Sequence, residues 1–274
     1  MNEQIALCAQ QPSTAGILRE LALMYAAADD LQNAERSINE ALERAPDSIS
    51  NLLTAGELAE AQNRIGDAAD RFLKLAEVDA GFRTSHLQRV ASLEISLGRF
   101  HDAMATCEAI IDFNPASIES FLFKARTAFG INRNEQAVAA LRRAMSIAPR
   151  DNQPRIMLAS HLASQFRTDE SIELYWQAFG YEQSQQGKLD IIRSLGPLYE
   201  RRTRVDELVE RLKTISERDG DSRATQLMVA TAYESVGDFG AAMDAVRQIL
   251  SEQPRDLGLL ELMVRLSEIA GEIE

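Results

Sequence analysis

The side chains best suited to chemistry are few and scattered along this chain of 274 residues. Its three histidines, His86, His101 and His161, share no spacing of three or four residues that would put two imidazoles on one helix face as metal ligands. His101-Asp102 reads as a helix start, where an acid meets the positive end of the helix dipole. No Gly-rich phosphate loop, dinucleotide fingerprint or nucleophile elbow occurs. The carboxylates fit solvated helix faces and turns, so no catalytic residue, metal ligand or cofactor is expected. Of two cysteines, Cys107 falls at an apolar core place and Cys8 in an N-terminal tail with nothing near to activate it. The one basic run, Arg201-Arg202-Thr203-Arg204, could hold an acidic segment or a phosphate, or balance nearby Glu200, Asp206 and Glu207. Trp176, Phe179 and Tyr181 flank the extra residues at 186–188 and are expected to cover the gap these leave, with a partner contact as the alternative.

The elements that must position these residues repeat. Small residues recur at Ala22, Gly56, Ala91, Ala125, Ala159, Gly196 and Ala230, then Val264, 34 to 37 residues apart. A second ladder keeps step: Ala34, Ala68, Ala103, Ala137, Ser171, Leu208 and Ala242. Prolines close most rungs, at Pro12, Pro46, Pro115, Pro149 and Pro254. Self-similarity at this period means one supersecondary unit stacked on itself. Within a rung, apolar residues recur at three and four, which is helical periodicity. Gly237-Asp238 interrupts the pattern as a turn, and Pro254 ends the second helix. Each unit therefore reads as helix A, a tight turn and helix B. The small residues mark places where helices cross closely.

An apolar residue followed by a small one (Leu21-Ala22, Ala55-Gly56, Leu195-Gly196), an aromatic three later (Tyr25, Tyr199, Tyr233), a small residue opening helix B and a closing proline resemble the tetratricopeptide repeat. The resemblance covers nearly the whole chain and implies an all-α, right-handed α-solenoid of antiparallel helix pairs. The units read as 15–48, 49–82, 84–117, 118–151, 152–185, 189–222 and 223–256, with partial units at 1–14 and 257–274. Extra residues at Arg83 and at Gln186-Gly187-Lys188 are placed in the turns between units. Arg155, Gln226 and Lys124 occupy usually apolar places, and Pro197 is expected to kink the sixth helix A.

The resemblance also implies that helix A lines a concave groove. Its outward places include Leu23, Leu53, Glu57 and Ser92, and centrally Ile95, Leu122, Arg126, Phe129 and Ile156, with Arg193 and Arg201 further on. Apolar side chains around one Arg suit a protein or peptide partner. They equally suit packing between units. A carboxylate clamp of the co-chaperone kind is not matched, because the corresponding places hold Arg19, Leu23, Glu57, Ser85 and Arg89.

Composition bounds the rest. Hydrophobic residues at 45% exclude a disordered chain. A net charge of −13, from 29 basic and 42 acidic residues, argues against nucleic-acid binding. No apolar run approaches the roughly 20 residues of a membrane span. Met1-Asn2-Glu3-Gln4 lacks the basic start of a secretory leader, so a cytoplasmic protein is expected if Met1 is the native start. The function expected is a non-catalytic scaffold. The alternative is the repeat portion of a longer enzyme, kinase or secretion component. The last helix is apolar all round, so continuation of the polypeptide beyond Glu274, or end-to-end self-association through 257–274, is expected.

Overall fold

The computed structural model describes residues 14–219 and 222–271. Cys8, Pro12, the half-unit expected over 3–11 and the turn residue Glu272 lie outside the described residues. The described residues are all-α, of the α-solenoid class, and fall into two compact units, up to Ile147 and from Ala148 on.

The N-terminal unit holds α1 (Ala15–Ala27), α2 (Leu31–Arg44), α3 (Ile49–Ala61), α4 (Ile65–Val78), α5 (Arg83–Ser96), α6 (Phe100–Phe113), α7 (Ile118–Gly130) and α8 (Asn134–Ile147). The C-terminal unit holds α9 (Gln153–Ser164), α10 (Thr168–Tyr181), α11 (Gln185–Glu200), α12 (Val205–Asp219), α13 (Ser222–Ser235), α14 (Phe239–Glu252) and α15 (Leu257–Ala270). In each unit, consecutive helices pack on one another, so every A helix meets its own B helix.

The small-residue ladders lie in these seams. Ala22, Ala91, Ala125, Ala159 and Ala230 are at most 1% exposed, and every member of the second ladder from Ala34 to Ala242 is fully enclosed. Gly56 has no room to spare: a Cβ there would sit 2.9 Å from the Phe72 ring. At Gly196 a Cβ would fall 1.7 Å from Ser235 Oγ, so α11 and α13 approach closely only because the side chain is absent.

Each turn from helix A to helix B is built alike. One residue adopts positive φ: Asp29, Asn63, Gly98, Asn132, Phe166, Thr203 and Gly237. The next amide donates to the carbonyl five residues back, as in Arg64 to Ala59 at 2.8 Å, Arg133 to Ala128 at 2.7 Å and Arg204 to Tyr199 at 2.9 Å. This is a Schellman closure of helix A. Gly237, the turn glycine read from the sequence, takes this conformation, and glycine fills two of the seven places. Asn and Asp fill three more, because their short polar side chains tolerate this conformation. Phe166 and Thr203 have no such excuse and are held there by the turn around them.

Two sequence expectations are corrected. Residues 186–188 do not lie in a turn: they form the first turn of α11, which starts at Gln185 and runs 16 residues. Ser184 caps it, its Oγ accepting from the Gly187 amide at 3.0 Å. Arg83 likewise is the first residue of α5, whose N-cap position, Phe82, supplies no side-chain bond. A helix terminus absorbs added residues by lengthening, without disturbing the seam further along. The helix containing Pro197 continues to Glu200, with one backbone donor missing.

The departures from an apolar pattern are compensated. Arg155, 7% exposed, donates to the carbonyls of Asp151 at 2.8 Å and Pro149 at 2.6 Å and stacks on the Tyr181 ring. Lys124 pairs with Glu108. Cys107 is fully buried, and that burial pushes its thiol pKa up, which keeps it an inert core residue. Trp176 and Phe179 are buried edge to face, 5.3 Å between centroids, and the ammonium of Lys188 lies over Phe179. On α15, Leu259 and Leu266 are buried, while Leu257, Leu260, Val264 and Ile269 are exposed. Val264 thus continues the ladder in sequence but is 53% exposed.

Candidate functional site

The A helices of the N-terminal unit present one face on which the expected groove residues can be placed. Register puts Ile95 on α5 and Phe129 on α7 at the same position of successive A helices. Both are half-buried. Arg126, one turn before Phe129, is exposed and has no ion-pair or hydrogen-bond partner among the described residues. Leu23 on α1 shares the register of Arg126, and it is 38% exposed; Leu53 on α3 is exposed to the same extent. Both leucines appear among the outward places read from the sequence, but not in the central patch. Their exposure adds apolar surface to this face.

Leu122 corrects the expectation. It is fully buried and cannot contact a partner. Burying a leucine is worth about 1.5–3 kcal/mol, and the interior takes this side chain where its register mate Leu53 stays partly in water. The remaining expected residues sit in the C-terminal unit. Ile156 is half-buried against that unit's core. Arg193 pairs with Asp190 at 2.6 Å on its own helix. Arg201 lies over the Phe166 ring, 5.8 Å from its centroid, and donates to the Ala163 carbonyl at 3.4 Å. Arg202 and Arg204 of the basic run pair with Asp169 and Glu207, each at 2.5 Å. Most of that run is therefore neutralised inside the protein.

Electrostatics along the N-terminal A helices are mixed. Arg89 on α5 forks onto Glu60 of α3, its Nε donating at 3.0 Å. Glu94 accepts from Thr106 Oγ1 at 2.8 Å, yet burial holds its carboxyl above the ordinary range. At the start of α5, His86 Nε2 meets Asp79 Oδ2 at 3.0 Å, and this contact draws the Asp79 carboxyl down. Among the described residues no group of three or more His, Cys, Asp and Glu is placed to hold a metal ion. No described helix is long and apolar enough to cross a membrane.

Stacked antiparallel helix pairs, sealed by small residues and closed by repeated Schellman turns, define a helical repeat protein. Residues 118–151, which contain α7 and α8, match the tetratricopeptide repeat family model. The other helix pairs keep the same register of small residues and left-handed turns. No curated protein sequence matches it. Among solved structures, a tetratricopeptide repeat protein from Parabacteroides merdae is 14% identical, covering 93% of this chain and 98% of its own, with a TM-score of 0.47. MamA from Desulfovibrio magneticus is 14% identical over 61% of this chain and 94% of its own, with a TM-score of 0.43. YrrB, described as a tetratricopeptide protein with an unusual peptide-binding site, is 13% identical over 64% of this chain and 90% of its own, with a TM-score of 0.42. At such identities no residue role passes from these proteins to this one.

Proposed function

We propose that this protein is a non-catalytic interaction scaffold that takes an extended or helical segment of a partner protein along the A-helix face of its N-terminal unit. The observation carrying this reading is Arg126: an exposed guanidinium with no partner among the described residues, on the face to which register assigns half-buried Ile95 and Phe129. Apolar side chains give such a face its affinity, and an unpaired Arg gives it a preference for a carboxylate. Leu23 and Leu53 extend the apolar surface over α1 and α3. Ile156, Arg193 and Arg201 offer a second, more internally satisfied stretch on the A helices of the other unit.

The test is the double variant Arg126→Glu, Phe129→Ala. Proteins retained by the wild-type chain from a lysate of its native cells are identified by mass spectrometry, then compared with those retained by the variant. Loss of a specific partner with unchanged helical circular dichroism supports the groove. Retention of the same partners by the folded variant refutes it.

A further inference from the structure

A second place in the molecule is built for recognition, on its B helices. In the C-terminal unit, α10 and α12 are separated by a cleft of about 490 Å³ whose lining includes Trp176, Tyr199, Arg204, Glu207 and Arg211. The N-terminal unit has a smaller cleft of about 290 Å³ between α2 and α4, lined in part by Asn39, Ala59, Arg64, Asp67 and Arg71. The two occupy the same register: Arg204 answers to Arg64, Glu207 to Asp67, Arg211 to Arg71, Trp176 to Asn39 and Tyr199 to Ala59.

The differences are informative. In the smaller cleft Arg71 donates to Asn39 at 3.4 Å, and Arg64 pairs with Glu35 at 2.5 Å. In the larger one the residues answering to Asn39 and Glu35 are Trp176 and Ile172. Arg204 turns to Glu207 on its own helix. Arg211 has no such acceptor, and its guanidinium carbon lies over the indole, 4.1 Å from the ring centroid. Trp176 is itself fixed, its Nε1 donating to Tyr199 Oη at 3.0 Å and its ring edge-on to Phe179. Arg211 is thereby held over the ring, while its N–H groups meet no carboxylate among the described residues. A guanidinium stacked in this way is pre-organised for a two-pronged bond to a planar anion. Glu173, on the opposite wall, likewise has no cation within ion-pair distance among the described residues. It can accept a donor from whatever enters.

We propose that this cleft binds an extended acidic peptide segment, one carboxylate of which is forked by Arg211 while Glu173 accepts from the peptide's backbone amides. The occupant must bring an acceptor and donors together, as a peptide with an acidic side chain does and a simple anion does not. This site is separate from the A-helix face of the proposed function and stands or falls without it.

Trp176 is the chain's single tryptophan, so its emission reports on this cleft. The full chain is titrated with an acetylated hexapeptide of alternating glutamate and leucine, with the lysine–leucine counterpart, and with sodium phosphate at matched ionic strength. The expected result is a saturable change with the glutamate peptide, weakened at least tenfold in Arg211→Gln and several-fold in Arg211→Lys, and unaltered in Arg126→Glu. Circular dichroism checks that each variant is folded. The proposal is overturned if the glutamate peptide gives no saturable change, if folded Arg211→Gln responds like the wild type, or if the lysine peptide or phosphate responds as strongly.

Discussion

Ser171 Oγ donates to the Ala159 carbonyl at 2.7 Å, joining the two small-residue ladders inside one repeat. Both residues are fully buried. Five of the other rungs meet through alanine or glycine alone, and in the sixth Gly196 is matched with Leu208. Here the seam also carries a hydrogen bond, and it can do so because the hydroxyl is small enough for the crossing.

Replacing Ser171 by alanine keeps the crossing and removes the bond. A buried neutral hydrogen bond contributes about 0.5–1.5 kcal/mol net, and the Ala159 carbonyl keeps its helical donor, so Ser171→Ala should cost about 1 kcal/mol. Ser171→Leu should cost more despite Leu208 standing at the next rung, because overpacking a sealed seam typically costs about 1–3 kcal/mol. Urea unfolding of the two variants checks the order. Equal midpoints for Ser171→Leu and wild type would contradict a tight crossing at this rung.

Thr203 is the β-branched member of the left-handed series, at φ 55°. Its Oγ1 donates to the Arg202 carbonyl at 2.7 Å, a local bond that does not offset the steric cost. Left-handed backbone costs an ordinary side chain roughly 1–2 kcal/mol, whereas Asn tolerates it. Thr203→Asn should therefore raise the melting temperature, as Asn63 and Asn132 already fill this place in other repeats. A lower melting temperature would mean that Thr203 contributes contacts outweighing its strain.

Asp256 caps α15, accepting the Leu259 amide at 3.2 Å, and pairs with Arg223 of α13 at 2.5 Å. The Arg223 guanidinium, then the Leu259 amide, hold its carboxyl below the ordinary 3.8. A carboxyl lowered on folding adds stability that is complete above its unfolded value and is lost as pH falls through its folded value. The attachment of α15 should therefore weaken as pH drops below about 3.8. Asp79 and Glu182 are lowered as well, so the diagnostic is a difference. Asp256→Asn should show a shallower loss of α15 amide-exchange protection with acid than the wild type. Identical acid profiles would remove Asp256 from the account.

The sequence by itself determined the repeat. Small residues spaced 34 to 37 apart, with helical periodicity between them, locate each A and B helix, since only a small side chain lets two helix backbones approach. It also assigned the helix A positions a common register, because spacing alone decides which residues share a side of a helix. Exposure is another matter. Leu53 and Leu122 share a register, yet one is 38% exposed and the other fully buried. Whether a side chain at the edge of a face meets water depends on how near its neighbours lie in space, which no local pattern encodes. The same holds for Phe166 and Thr203: a turn closed by hydrogen bonds on both sides imposes the left-handed backbone on whatever residue falls there. The clearest case is Arg211. In sequence it is one charge on an acidic helix. Only the tertiary structure brings Trp176 beneath it, with Tyr199 Oη on the indole nitrogen, because a cation's partners across a repeat boundary are set by the distance between helices.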